Sequence, residues 1–183
     1  MNQFMRAAAI ALCASAVVTA CATRPPIPQA ASNADFVIER DLVGSTVARG
    51  EFRTITGVRR PFTAQLNGSW DGATFTLVED FAFDDGERDR KTWRLQRVES
   101  GRYIGTREDV VGQARGFQDG AVFRLEYDVL LPTANGGRKV RFRDVMAVNG
   151  EGDVLNNATV GWFGFRVGSV SIVMQREPEP AGS

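Results

Sequence analysis

The sequence predicts an all-β domain, most economically a single antiparallel up-and-down β-barrel of eight to ten strands. Apolar and polar residues alternate with a period of two along most of the chain, which is typical of strands with one buried face. Turn signals such as Asp84-Asp85-Gly86 and Asn149-Gly150 separate these runs, as hairpins require. A meander of this size avoids exposed edges by closing on itself. A β-sandwich would bury a similar face and stays open as the alternative.

The chain begins with a predicted export signal, residues 1–20. Arg6 is followed by an apolar run that is too short to span a bilayer, and then by Val18-Thr19-Ala20-Cys21. An aliphatic residue three positions before a cysteine, with small residues between them, resembles a bacterial lipobox. Cys21 is therefore the predicted lipidation site, and Cys13 fits less well because Leu12 precedes it. Cleavage at an Ala-x-Ala-like site without lipidation is the alternative.

The predicted anchor also indicates where the protein resides. Several acyl chains on one cysteine give stable membrane anchoring, whereas a single chain gives only marginal binding. Ala22, rather than an aspartate, follows Cys21. In a Gram-negative host this pattern directs a lipoprotein to the outer membrane. We therefore expect an outer-membrane lipoprotein of the bacterial cell envelope that faces the periplasm.

Composition divides the remaining chain into three parts. Residues 21–34, which comprise the lipidated Cys21 and a segment rich in proline and alanine, predict a flexible tether. Residues 35–176 predict the β-barrel domain, in which residues 35–42 form a helical turn before the first strand. Residues 177–183 predict a disordered tail.

The predicted strands follow from the alternation, in chain order. Their inward-facing runs are Phe62 to Trp70, Phe75 to Phe83, Trp93 and Leu95, Phe123 to Leu131, Val140 to Val148, and Phe165 to Met174. Further turn signals occur at Asn67-Gly68, Ser100-Gly101, Asp119-Gly120 and Asn135-Gly136-Gly137. Gly112 and Gly116 predict positions where a barrel strand bends or reverses.

Composition excludes several kinds of chemistry. The chain has no histidine, which excludes histidine-based triads, histidine general bases and histidine metal sites. Acylation of Cys21 would leave no thiol for catalysis or disulfides. The 22 basic and 22 acidic residues balance, which argues against a nucleic-acid partner. No catalytic or cofactor motif occurs, and the acid-rich segment 79–89 lacks EF-hand spacing. We therefore expect a protein that is not an enzyme and needs no metal or cofactor.

Five charged residues fall on the inward-facing parity of their predicted strands: Glu79, Arg97, Arg107, Asp109 and Asp144. An unpaired charge inside a barrel is costly, so these carboxylates and guanidiniums should meet. One interpretation is an ion-pair network that sets the strand register. Another is the polar end of an apolar cavity that holds the head group of a lipid-like or carboxylic ligand. Acid-base catalysis is a third, although nothing else in the sequence completes such a site.

Four blocks of sequence carry a resemblance to a known family. They are ARGEFRT (48–54), FTLVEDFAFDDGERDRKTWRL (75–95), YIGTREDVVGQARGFQDGAVFRLEYDVLLP (103–132) and RFRDVMAVNGEGDVLNNATVGWFGFRVGSVSIVM (141–174). The blocks resemble a family of bacterial lipoproteins that contain domain of unknown function 3833, and the run from Asp109 to Gly116 is the most specific part. The resemblance implies an envelope lipoprotein with a compact barrel, similar in plan to lipocalins and other calycins. The resemblance supplies no established activity that could be carried over to this chain.

Together these observations predict a non-enzymatic binder or carrier of a hydrophobic, lipid-like ligand at the outer membrane. The N-terminal lipid anchor would hold it to the membrane. The alternative is a structural or protein-interaction module of the cell envelope, with a barrel that is filled by its own side chains.

Overall fold

The computed structural model describes residues 24–133 and 136–177. The predicted signal, Cys21 and residues 178–183 of the predicted tail lie outside the described residues. One short helix and ten strands follow in order. They are α1 (Ile38–Asp41), β1 (Gly44–Thr54), β2 (Arg59–Trp70), β3 (Thr74–Phe83), β4 (Arg88–Glu99), β5 (Arg102–Thr106), β6 (Ala114–Asp119), β7 (Val122–Thr133), β8 (Gly136–Val148), β9 (Val154–Trp162) and β10 (Phe165–Arg176). Within the described ranges, no helix is long and apolar enough to cross a membrane.

The ten strands form one closed antiparallel barrel in which each strand pairs with its neighbours in sequence. β1 also pairs with β10, from Thr46 opposite Arg176 to Thr54 opposite Gly168, and this pairing closes the sheet. Closure satisfies the backbone groups that an open edge would expose. The predicted up-and-down barrel is confirmed, and the β-sandwich alternative is wrong.

Alternation along the strands buries the predicted inward-facing side chains. Phe75, Phe123 and Leu125 are each at most 3% exposed and belong to one core inside the barrel. Opposite parity places Arg124 and Glu126 on the outer face of β7, where each pairs with a neighbouring charge. On β3 and β7 the period of two therefore predicts correctly which side of the barrel wall these residues occupy. On β10 it does not, because the register shifts between Arg166 and Gly168 and Phe165 is 74% exposed.

Helix α1 closes one end of the barrel, here called the closed end. The predicted helical turn is confirmed, and it carries Ile38 and Leu42, each 2% exposed, into the core beside Phe36. The Leu42 carbonyl passes so close to β2 that a Cβ on Gly68 would lie 1.7 Å from its oxygen. Predicting a turn at Asn67-Gly68 is therefore wrong. Gly68 lies within β2, and its lack of a side chain admits the end of the helix.

Two further glycines that were predicted as bends have different roles. Gly112 adopts a φ of 77° in the connection between β5 and β6, as a reversal requires. Gly116 lies within β6, where a Cβ would come within 2.5 Å of the Phe123 ring. Its role is to make room for that ring, not to bend the strand.

The described part of the predicted tether lies against the barrel. The Ser32 amide donates to the carbonyl of Val148 at 2.8 Å, and the Asn157 side chain donates to the carbonyl of Pro26 at 3.1 Å. Ala31 packs on the outer face of the barrel and forms an apolar cluster there, with Val122, Val145 and Ala147. This contact differs from the flexible tether predicted up to residue 34. The segment docks because outward-facing residues of β8 are apolar and need a cover.

Candidate ligand-binding cavity

A cavity of about 380 Å³ lies inside the barrel and extends from α1 toward the opposite end. Its volume falls within the range of roughly 300–1,000 Å³ that is typical of small-molecule sites. One wall is apolar and consists of Phe52, Phe62, Phe81, Phe83, Val170 and Ile172. The barrel is therefore not filled by its own side chains, contrary to what a purely structural module would require.

The cavity opens at the end of the barrel opposite α1, here called the mouth. At this end the inward-facing rings of Phe52, Phe81 and Phe83 are only half-buried, whereas rings near α1 are fully buried. Arg60 lies at the mouth with its guanidinium carbon 3.8 Å from the centre of the Phe83 ring. A ligand would enter between these aromatic rings and a cation.

Beside the apolar wall lies a set of charged side chains, here called the polar cluster. Its members are Glu79, Asp89, Lys91, Arg107, Asp109 and Asp144, all of which line the cavity. Arg107 forms a two-point contact with Asp109, with Nε to Oδ1 at 2.7 Å and Nη2 to Oδ2 at 3.2 Å. Its Nη1 lies 3.6 Å from Oε2 of Glu79. Lys91 adds Nζ contacts of 3.0 Å to Asp89 and 3.8 Å to Asp109.

Strand register and one loop bring the polar cluster together. Glu79 and Lys91 are direct partners across the β3 and β4 pair. Arg107 and Asp109 lie in the loop after β5, not on a strand. The Leu130 amide, on β7, holds that loop by donating to the carbonyl of Asp109 at 3.2 Å.

Aromatic rings hold the Arg107 side chain in place. Its guanidinium carbon lies 4.6 Å from the centre of the Trp93 ring and 5.3 Å from that of Tyr127. A guanidinium over such ring faces is attracted by their negative quadrupoles, and the attraction strengthens when water is excluded. Arg107 therefore presents a fixed positive charge within the barrel.

Asp144 lies deeper in the cavity, on β8, and is 5% exposed. Tyr127 and Asn156 donate hydrogen bonds to its carboxyl group. Burial raises the pKa of Asp144 from 3.8 to about 6, while the hydrogen bond from Tyr127 and the charge of Arg107 act in the opposite direction. Burial, and next the negative charge of Asp144, raises the pKa of the Tyr127 hydroxyl well above 10, so this hydroxyl stays protonated.

Glu79 is the second carboxyl group in the cavity whose pKa is raised toward neutral pH. Burial raises the pKa of Glu79 from 4.5 to about 7, the charge of Arg107 opposes this rise, and the charge of Asp144 adds to it. Within the described part of the chain, Oε2 of Glu79 and Oδ1 of Asn156 are buried without a hydrogen bond. Oδ1 of Asn156 is an acceptor, and Oε2 of Glu79 is one when the carboxyl group is ionised; a buried acceptor without a donor is costly.

The structure brings together four of the five predicted interior residues and separates the fifth. Glu79, Arg107, Asp109 and Asp144 all line the cavity. Arg97 does not: its side chain is 43% exposed at the closed end, where Nη1 lies 3.1 Å from Oε1 of Glu39 on α1. Arg97 is paired with the buried Tyr103 across β4 and β5, but it lies near the end of β4, where Glu39 on α1 supplies its partner, so parity alone misplaces this residue. The predicted lipidation site, Cys21, lies outside the described residues.

Four residues of the site were not among the predicted candidates. Asp89 and Lys91 share their parity with Trp93 and Leu95, so extending that run by two alternate positions would have found both. The alternation predicts that Tyr127 faces inward, but parity alone does not reveal that its hydroxyl donates a hydrogen bond to Asp144. Asn156 lies on β9, for which no inward-facing run was predicted. The alternation of polar and apolar residues is weak on this strand, because outward-facing residues such as Leu155 and Thr159 are also buried.

The site offers a ligand a fixed cation, two unsatisfied acceptors and an apolar wall. Four carboxyl groups face two cations in the polar cluster, so the cluster has an excess of acceptors. Among the residues that the structure describes, no group of acidic, histidine or cysteine side chains is arranged to hold a metal ion. This arrangement is chemically suited to hydrogen-bonding a polar group while an apolar part lies against the phenylalanines.

Comparisons with known proteins place the chain in a family and support the fold. The barrel is similar to that of the S-type phycobiliprotein lyase CPES from Guillardia theta, with a TM-score of 0.59, 10% identity, and coverage of 78% of this chain and 92% of the lyase. It is also similar to Rv2717c from M. tuberculosis, with a TM-score of 0.57, 17% identity, and coverage of 76% and 94%. At these identities the similarity shows the lipocalin-like barrel alone. No curated protein matches the chain. Residues 15–176 match the family described as protein of unknown function (DUF3833), and the chain therefore belongs to that family.

Proposed function

We propose that this protein binds or carries a lipid-like amphiphile in the barrel cavity and does not chemically transform it. The observation that carries this proposal is the division of the cavity between a phenylalanine-rich wall and the polar cluster. An amphiphile has the same division. Its apolar part would lie along Phe62 and Phe81, and its polar head would reach Glu79 and Asn156.

The two unsatisfied acceptors refine the expected head group. Oε2 of Glu79 and Oδ1 of Asn156 each need a donor, which a hydroxyl, amide or ammonium group would supply. A carboxylate head would supply none and would add a negative charge to a cluster already rich in carboxyl groups. The expected ligand is therefore a neutral or cationic amphiphile, which narrows the lipid-like or carboxylic ligand that the sequence suggested.

Ligand binding can be tested by native mass spectrometry of the protein released from its host membranes with mild detergent. We expect a copurifying small molecule, and binding should also change the fluorescence of Trp93, which lines the cavity. Val170→Trp would occupy the cavity and should remove the ligand. Val173→Trp is the matched control, because Val173 lies on the same strand and is 41% exposed on the outer face. Equal ligand occupancy in both variants, or none in the unaltered protein, would refute the proposal.

We also propose that Cys21 anchors the protein to the outer membrane as a lipoprotein facing the periplasm. The support is the order of Arg6, an apolar run and Val18-Thr19-Ala20-Cys21 in the sequence. Mass spectrometry of the mature N-terminus should find diacylglyceryl on Cys21, and Cys21→Ala should move the protein from the membrane fraction to the soluble fraction. A mature chain that begins at another residue, or an unmodified cysteine, would contradict this assignment.

A further inference from the structure

Five exposed apolar side chains surround part of the barrel mouth and are here called the mouth rim. Ile55 and Val58 belong to the β1 and β2 hairpin and are 66% and 61% exposed. Trp162, Phe163 and Phe165 belong to the β9 and β10 hairpin and are 39%, 84% and 74% exposed. The two hairpins are neighbours, because the Ile55 amide donates to the carbonyl of Val167 at 3.1 Å. The rim thus gathers five exposed apolar side chains on two adjacent hairpins, unlike the scattered apolar residues of an ordinary exterior.

The backbone at the tip of the second hairpin is strained in a way that displays an aromatic ring. Phe163 has a φ of 47° and Gly164 a φ of 83°. Two successive positive φ values define a turn that strongly favours asparagine or aspartate followed by glycine. A bulky residue in this conformation is an outlier, and such strain persists where function requires it. Folding alone does not explain why a phenylalanine occupies this position with most of its surface in water.

Positive charge accompanies the mouth rim. A groove of about 580 Å³ beside it is lined by Arg138, Lys139, Arg141 and Arg143 together with Trp162 and Phe163. Asp128 pairs with Arg141 and Lys139. Arg138 stacks on Trp162 at 4.6 Å and has no carboxylate within ion-pair distance among the described residues. An aromatic ring beside a cation that lacks an ion-pair partner suits the boundary between acyl chains and anionic head groups.

The path of the N-terminal segment points to the same end of the barrel. Ser32 contacts Val148, which lies near the closed end. Six residues earlier in the chain, Pro26 contacts Asn157 on β9. The segment therefore runs toward the mouth when the chain is followed from Ser32 back to Pro26. From Asn157 to Trp162 the strand rises about 17 Å, at roughly 3.3 Å for each residue. Five residues, from Pro26 back to Cys21, can span at most about 18 Å. Cys21 is therefore within reach of the mouth rim.

We propose that the mouth rim docks on the surface of a bilayer that contains anionic phospholipid, so that the cavity opens toward the membrane. Trp162, Phe163 and Phe165 would enter the boundary between head groups and acyl chains, and Arg138 would contact lipid phosphate. In this orientation an amphiphile would pass between bilayer and cavity through the mouth. The roles of Cys21 and of the ligand in this inference rest on the proposed function. The docking of the mouth rim on a bilayer does not depend on it.

Docking can be measured by cosedimentation of residues 22–183 with vesicles. This chain lacks acyl groups, so binding does not depend on lipidation, and it contains every strand of the closed barrel. We expect binding to vesicles that contain phosphatidylglycerol, weaker binding to phosphatidylcholine alone, and weakening by salt. Replacing Phe163 and Phe165 together by serine should reduce binding about tenfold or more, because each buried ring contributes strongly to partitioning.

Three comparisons make the test decisive. Val98→Ser removes an apolar side chain that is 51% exposed near the closed end, and it should leave vesicle binding unchanged. Arg138→Gln should reduce binding to the anionic vesicles and lessen its salt dependence. Val170→Trp, which blocks the cavity, should abolish ligand binding and spare docking, so the two proposals can fail separately. Equal vesicle binding by the double serine variant and the unaltered chain would overturn the inference, as would a dimer in vesicle-free solution that the double variant abolishes.

Discussion

Replacing Glu79 by glutamine should change how the stability of the barrel depends on pH. Glutamine keeps the size of the side chain and removes its titration. The chain contains no histidine. Among the described residues, Glu79 and Asp144 are the carboxyls whose pKa burial raises to about 7 and about 6. Loss of stability between about pH 5 and 8 should therefore report on these two side chains.

The sign and size follow from linkage. The folded state holds the Glu79 proton more tightly than the unfolded state, so the free energy of unfolding falls as pH rises from about 4.5 to about 7. Each pKa step of one corresponds to about 1.4 kcal/mol, which makes the Glu79 contribution about 3 kcal/mol. At pH 5 the glutamine variant should be more stable than the unaltered protein by only about 1 kcal/mol, because the folded state still holds the Glu79 proton while the unfolded state has begun to release it. At pH 8 the variant should be more stable by about 2–3 kcal/mol.

Urea unfolding at pH 5, 6, 7 and 8, followed by tryptophan fluorescence, measures this difference. Asp80→Asn is the matched control, because Asp80 is the neighbouring residue on β3 and its carboxylate pairs with Arg90 at the surface. The control should show no growing advantage as pH rises. The reasoning is wrong if the difference between the Glu79→Gln variant and the unaltered protein is the same at pH 5 and pH 8.

Three further changes test other parts of the structure. Arg107→Met should destabilise the barrel by about 3–5 kcal/mol at pH 8, because it leaves buried carboxylates without their cation. The loss should be smaller at pH 5, where Glu79 is protonated in the folded state, and urea unfolding at pH 5 and pH 8 would measure it. Gly68→Ala should lower the melting temperature, since its Cβ would lie 1.7 Å from the Leu42 carbonyl oxygen, whereas Gly150→Ala, with open space around it, should not; equal melting temperatures would contradict the close approach. Phe163→Asn should raise stability by about 1 kcal/mol, because asparagine tolerates the positive φ, while it weakens vesicle binding; a loss of stability would show that the ring contributes to the fold.

Local sequence predicted much of the barrel wall and part of the cavity. Alternation placed Glu79 and Asp144 inside because the direction of a side chain within a regular strand depends only on parity. The same argument failed for Arg97, which lies near the end of β4, where Glu39 on α1 provides a partner from a distant part of the chain. The argument also missed Asn156. The N-terminal segment covers the outer face of β9 there, so residues on that face are buried and the strand lacks a clear alternation of polar and apolar residues.

The sequence by itself determined the all-β class, the antiparallel hairpin order and the family, since periodicity, turn residues and characteristic sequence blocks are local. Closure into a barrel was decided by the tertiary structure, because a β-sandwich has the same local signals. Only the tertiary structure decided that the barrel holds a cavity, that Arg107 lies between Trp93 and Tyr127, and that the mouth carries an exposed aromatic rim. The physical reason is that side-chain direction follows from neighbours in sequence. Cavity volume, charge pairing and surface patches depend on how strands far apart in the chain are registered around the closed barrel.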